Sequence, residues 1–102
     1  MRRLIGVDLD GVLCEGKCWK SEEECLNAKP IPEMIEIVNK LYKDEFIIIY
    51  TARQDWLMSA TFQWLHKNGI YFHAVMNGKV PLNIMIDDVA IEPKNAKEIY
   101  EY

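Results

Sequence analysis

The stretch from Gly6 to Leu13, GVDLDGVL, sets two carboxylates one residue apart, behind an apolar run that begins at Leu4 and ahead of a glycine. Residues Leu4 to Leu9 read as a short buried strand, and acids at the end of such a strand repel each other unless opposite charge meets them. A second strand, FIIIY at Phe46 to Tyr50, is rich in β-branched residues and bounded by charge. Between the two, IPEMIEIVNKLYKD sets Ile31, Met34, Ile35, Val38, Leu41 and Tyr42 at helical spacing. Pro32 and Glu33 suit a first turn, where proline needs no hydrogen-bond partner and glutamate meets the positive helix end. This is a strand, crossover helix, strand unit.

The pattern repeats. Asp55 is placed to cap a second helix with Leu57, Ala60, Trp64 and Leu65 on one face, and Gly69 is placed to end it. YFHAVM then reads as a third strand. The NG turn signal at Asn77 and Gly78 precedes a fourth, NIMID, and PKNAKEIYEY suits a short closing helix. Strands alternating with helices predict an α/β class: a Rossmann-like three-layer α/β/α domain with a mostly parallel sheet covered on both faces. Trp56, Phe62 and Trp64 are assigned to the core, and His66 and His73 to structural positions. The least regular stretch, CEGKCWKSEEECLNAK at Cys14 to Lys29, reads as a flap in which SEEECLNA forms one or two helical turns.

With 102 residues, half of them hydrophobic, the chain suits one domain spanning 1–102, the flap at about 12–29 being its one irregular excursion. A net charge of -4 argues against a general nucleic-acid binder, which would carry a basic surface. No apolar run approaches the roughly 20 residues of a membrane span, and acid arrives too early for a signal peptide, so a soluble cytoplasmic protein is expected. Cys14, Cys18 and Cys25 are odd in number and crowded into the flap, a pattern of free thiols in a reducing compartment. Zinc would need a fourth ligand, and both histidines are far along the chain.

In an open parallel sheet ligands bind at the carboxyl ends of the strands. The first strand ends on Asp8 and Asp10, the second on Thr51, Ala52 and Arg53, and the fourth on Asp87 and Asp88, with Lys79 in the loop before it. Two acid pairs brought to one edge call for a cation, and all-oxygen ligands favour a hard one such as Mg²⁺. A threonine hydroxyl and a lysine ammonium beside that metal suit an anion, and phosphate satisfies all three parts.

These residues resemble the motifs of the haloacid dehalogenase (HAD) superfamily of phosphohydrolases, present in that family's order as DLDGV, YTAR, GK and IDD between Asp8 and Asp88. The resemblance implies a HAD-like phosphatase with Asp8 as nucleophile and Asp10 as general acid and base. It implies Mg²⁺ held by Asp8, the Asp10 main-chain carbonyl and Asp87, with Asp88 assisting. Thr51 and Lys79 would hold the phosphoryl oxygens, completed by backbone N–H groups after Asp8 and Thr51, at Leu9, Asp10 and Ala52. Beside the resemblance, the residues themselves make Arg53 either a substrate or phosphate contact or a partner for surface acids, and Trp19, an aromatic in a polar flap, a substrate-stacking, subunit-contact or packing residue. The chain departs from larger members in having no room for a cap domain. The expected partner is a small-molecule phosphate ester such as a sugar phosphate or nucleotide, with closure supplied by the flap or by a neighbouring subunit. A polynucleotide-end phosphatase of the same fold, a phosphoacceptor receiver and a catalytically idle binding module are the alternatives. Receivers place their threonine and lysine after the phosphoacceptor aspartate, whereas here Thr51 and Lys79 precede the second acid pair.

Overall fold

The structure is a computed structural model that describes residues 2–77 and the strand residues 84–86. Its elements are β1 (Leu4–Asp8), α1 (Glu22–Leu26), α2 (Pro32–Leu41), β2 (Phe46–Thr51), α3 (Met58–Lys67), β3 (Ala74–Asn77) and β4 (Ile84–Ile86), with a 3-10 turn, Asp55–Leu57, leading into α3. The strands form one sheet in the order β3-β2-β1-β4, and every pairing is parallel. The α/β class and the parallel sheet expected from the sequence are both present.

β1 and β2 are buried through three consecutive residues each, Ile5–Val7 and Ile47–Ile49, as strands inside a parallel sheet are. Ile5 and Val7 of β1 and Ile47 and Ile49 of β2 are fully buried and pack in one cluster with Met34, Ile37, Val38 and Leu41 of α2 and Trp64 and Leu65 of α3. Both helices therefore cover the same face of the sheet. The cause is topological: β1 to β2 and β2 to β3 step in the same direction, and crossovers of one hand then deliver their helices to one side. The short closing helix expected at PKNAKEIYEY lies outside the described residues.

Local chemistry explains the boundaries. α2 opens with Pro32 in its first turn and Glu33 beside it. α3 closes at Asn68, after which Gly69 takes a left-handed φ of 65°, which L side chains rarely adopt. The α3 entry differs from expectation: Asp55 is the first residue of the 3-10 turn, not a cap, and Gln54 precedes it. Among the three aromatics assigned to the core only Trp64 belongs there, its indole N–H donating to the Ala28 carbonyl at 2.8 Å. Trp56 and Phe62 are exposed.

The flap carries the helical turns expected of it. Ser21 caps α1 by accepting from the Glu24 amide at 3.0 Å, and Cys25 packs with Leu57 and Ala60 near the start of α3. Its base is closed by backbone bonds from Glu15 N to Lys29 O (2.8 Å) and from Ile31 N to Leu13 O (2.9 Å). Among the described residues no helix is long and apolar enough to cross a membrane.

Candidate active site

The strand order reverses beside β1: the chain runs from β1 outward through β2 to β3, then returns to place β4 on the other side of β1. The carboxyl ends of strands at such a reversal form the crevice that doubly wound folds use for ligands. Asp8 is the last residue of β1, half-buried, in register with Tyr50 of β2. Thr51 follows Tyr50 and ends β2. On the other side Val7 pairs with Ile86, the last residue of β4. Asp87, Asp88 and Lys79 lie outside the described residues.

Past Asp8 the chain curls tightly. The Leu9 carbonyl accepts from the amides of Val12, Leu13 and Cys14, and the Gly11 amide donates to the Cys14 carbonyl at 2.8 Å. Gly11 sits at φ 86°, so the turn that carries the chain away from the strand end uses glycine's freedom. The Leu9 amide donates to Asp8 Oδ1 at 2.8 Å. This curl brings Cys14 back against Asp10.

Asp10 is buried and heavily engaged. Oδ1 accepts from Arg53 Nη2 at 2.8 Å, the Cys18 amide at 3.0 Å and the Cys14 thiol at 3.5 Å. Oδ2 accepts from Trp19 Nε1 at 2.8 Å and Arg53 Nε at 3.1 Å. The ion pair is bidentate, the geometry in which guanidinium and carboxylate match best. Burial pushes the Asp10 carboxyl up. The Arg53 hydrogen bonds, the Cys18 amide, the Trp19 indole and the Arg53 charge together outweigh it and hold the group below its ordinary value. Asp10 is thus a carboxylate in this conformation.

Arg53 is the buried counterpart. Its Nη1 donates to the Thr61 hydroxyl at 2.9 Å, and that hydroxyl donates on to the Leu57 carbonyl at 2.8 Å. The Arg53 amide donates to Thr51 Oγ1 at 3.1 Å. Arg53 therefore ties the end of β2 to α3 and both to Asp10, where the sequence reading made it a substrate contact or a partner for surface acids. Trp19, read as a stacking, subunit-contact or packing residue, has its indole N–H on Asp10 and its ring under the Lys17 ammonium, which is 5.2 Å from the ring centre. Ala52 is exposed at the site's edge.

The donor atoms of Asp10, Cys14 and Cys18 lie within 4.8 Å of one another. In this conformation they face one another and Arg53. Burial and the neighbouring Asp10 charge raise the Cys14 thiol far above its ordinary value, and burial likewise raises Cys18. A soft metal needs thiolates, and the Asp10 carboxylate already faces a guanidinium. The roles of Thr61, Cys14 and Cys18 around Asp10 carried no linear signal beyond Thr61 falling on the buried face of α3.

No family model and no curated protein matches the chain. Solved structures do resemble it. The crystal structure of an MCSG target from Vibrio cholerae aligns over 97% of this chain and 97% of its own, at 22% identity and TM-score 0.65. A D,D-heptose 1,7-bisphosphate phosphatase from B. bronchiseptica, complexed with magnesium and phosphate, aligns over 74% of this chain at 19% identity and TM-score 0.51. The aligned part spans 49% of that phosphatase. At these identities the likeness is one of fold: an α/β domain with a parallel sheet.

Proposed function

We propose that the chain is a Mg²⁺-dependent phosphomonoesterase acting on a small phosphorylated metabolite, such as a sugar phosphate or nucleotide. One observation carries the reading: the Asp8 carboxylate stands at the carboxyl end of β1, beside the reversal of strand order, two residues before a buried second acid. The fold's likeness to a heptose bisphosphate phosphatase complexed with magnesium and phosphate supports it.

Asp10, a carboxylate in the resting conformation, first takes up a proton from solvent as substrate binds; an Asp8 oxygen then attacks phosphorus in line, its new O–P bond forming as the ester O–P bond breaks, and Asp10 gives that proton to the departing oxygen. Asp10, now a carboxylate, takes a proton from water as that water's oxygen attacks the aspartyl-phosphate. The Asp8 carboxylate is released, phosphate leaves, and Asp10 ends protonated. Such acid and base assistance is typically worth about 10²–10⁴-fold. The Thr51 hydroxyl, with Lys79, holds the phosphoryl oxygens, and the amides at the end of β2 help to orient them. The Asp8 carboxylate and the Asp10 carbonyl are oxygen donors of the kind Mg²⁺ takes, and Asp87 and Asp88 would complete the set. When bound, Mg²⁺ neutralises the clustered acids and the charge on the phosphoryl group.

The test is a screen of the purified chain, with and without Mg²⁺, against sugar phosphates, nucleotides and 3′-phosphorylated oligonucleotides. Metal-dependent release of phosphate from a small ester is the expected result. Preference for the oligonucleotides would move the assignment to polynucleotide ends, and no turnover of any ester would remove the phosphatase reading.

A further inference from the structure

Asp10 has no acceptor capacity left. A carboxylate offers about four lone-pair positions, and five donors already crowd this one: two nitrogens of Arg53, the Cys18 amide, the Cys14 thiol and the Trp19 indole. An acid or base must meet a substrate oxygen or a water directly, so one of these donors has to leave before Asp10 can act. They differ sharply in how easily they can. The guanidinium of Arg53 is fully enclosed and braced by Thr61. The Cys18 amide is backbone, and Cys14 is buried in the core cluster. Trp19 alone of these is exposed, at 42%, and its indole N–H is one of two donors on Oδ2 among the described residues.

We propose that Trp19 is a gate on the site: its indole N–H occupies Asp10 Oδ2 in the resting protein and gives up that position to a proton from solvent, which Asp10 then passes to the substrate's leaving-group oxygen, and afterwards to the attacking water. This rests on the phosphatase reading. The surroundings suit a short excursion. The base of the flap is closed by backbone bonds and α1 is packed on α3, so the flap does not need to lift. The moving part is the Trp19 side chain, flanked by the exposed Lys17 and Lys20, while buried Cys18 stays held to Asp10 and to Cys25. Rotation of one exposed side chain uncovers Oδ2, while Arg53 stays and keeps the carboxylate aligned. Trp19 is thus a positioning residue whose contact must be broken, and Arg53 one whose contact must be kept.

The experiment uses the full chain. Trp19→Phe keeps the ring and removes the N–H. On an ester with a poor leaving group, such as a sugar phosphate that the wild type turns over with Mg²⁺, kcat/KM is expected to rise roughly tenfold, the factor that one charge-assisted hydrogen bond contributes, while p-nitrophenyl phosphate, which needs no proton in the first transfer, should respond less. In ¹⁵N-labelled wild type, the Trp19 indole N–H resonance, assigned by its loss in Trp19→Phe, is expected to shift when Mg²⁺ and orthovanadate are added. A phosphatase-active wild type whose indole resonance stays fixed, or whose Trp19→Phe variant is slower, overturns the gate and leaves the phosphatase reading intact. A wild type that turns over no ester removes both.

Discussion

The two ends of the sheet each carry an arginine paired with a carboxylate, and they use the pair differently. At the amino end Arg3 Nε meets Glu45 Oε2 at 2.7 Å, with the arginine side chain 30% exposed. At the carboxyl end Arg53 meets Asp10 through two nitrogens with neither side chain in appreciable contact with water. The first joins the start of β1 to the residue before β2, as does the nearby bond from Phe46 N to Arg3 O. The second fixes an acid that sits beyond a strand end. A pair near water adds little and costs little to lose, whereas a buried pair that loses one partner leaves an uncompensated charge. Stability at the carboxyl end is therefore bound up with the groups that would do chemistry, and at the amino end it is not.

The largest effect expected is on chemistry. Asp8→Asn removes the nucleophile from the carboxyl end while keeping its shape, and phosphatase activity should fall by about 10³-fold or more with little change in melting temperature. Near wild-type turnover by the purified variant would mean that the working end has been misplaced. Arg53→Met tests the buried pair: a loss of about 3–5 kcal/mol in denaturant unfolding is expected. Arg3→Met at the other end should cost less than about 1 kcal/mol. Equal losses would abolish the contrast between the two ends.

Asp10→Asn sharpens the comparison within the site. It should slow esters with poor leaving groups far more than activated aryl phosphates, since only the former need a proton in the first transfer. Equal slowing on both would assign Asp10 to holding Arg53 alone.

The smallest effect is one of pH, and it separates the ends by window. His73 stacks on Tyr42 and Phe46, with ring centres 4.3 and 4.5 Å away, and its Nδ1 accepts from the Ile47 amide at 3.0 Å. Burial and the Arg2 charge lower its pKa from 6.5. The folded state thus prefers neutral His73, and its contribution is complete above the unfolded value and is lost as pH falls through the folded one. Asp10 is also lowered, from 3.8, so the contribution of the carboxyl end persists to far stronger acid. Melting temperature should decline modestly between pH 7.5 and 5.5 in wild type and less in His73→Gln. An unchanged decline in the variant would place the sensitive group elsewhere.

The sequence made the strands, the α2 face and the cluster of polar residues at strand ends legible, because each is a local pattern. The apolar runs in LIGVD and FIIIY and the helical period from Met34 to Leu41 report burial directly. Phe62 was misread although its spacing carried the answer: it falls off the face that holds Ala60, Thr61, Trp64 and Leu65. The Asp10–Arg53 pair was not legible as a pair. Its members are 43 positions apart, and only the parallel register of Asp8 with Tyr50 brings the two strand ends together. An arginine two residues past a strand end reads equally well as a substrate contact. The donors from the flap were hidden for the same reason, since nothing in CEGKCWK says which way a loop folds back.

The placement of β1 also governs assembly. Ile5 pairs with Ile47 on one side and with Ile84 on the other, so among the described strands the one that ends in Asp8 comes earliest in the sequence and gains its second neighbour last. During synthesis its β2 edge can be covered once residues near 50 are available, while its other edge stays open until residues 84–86 emerge. Closing that longer loop carries the greater entropic cost and comes late. Until then the nascent chain presents a strand edge open to other chains, and the crevice beside Asp8 has only one wall.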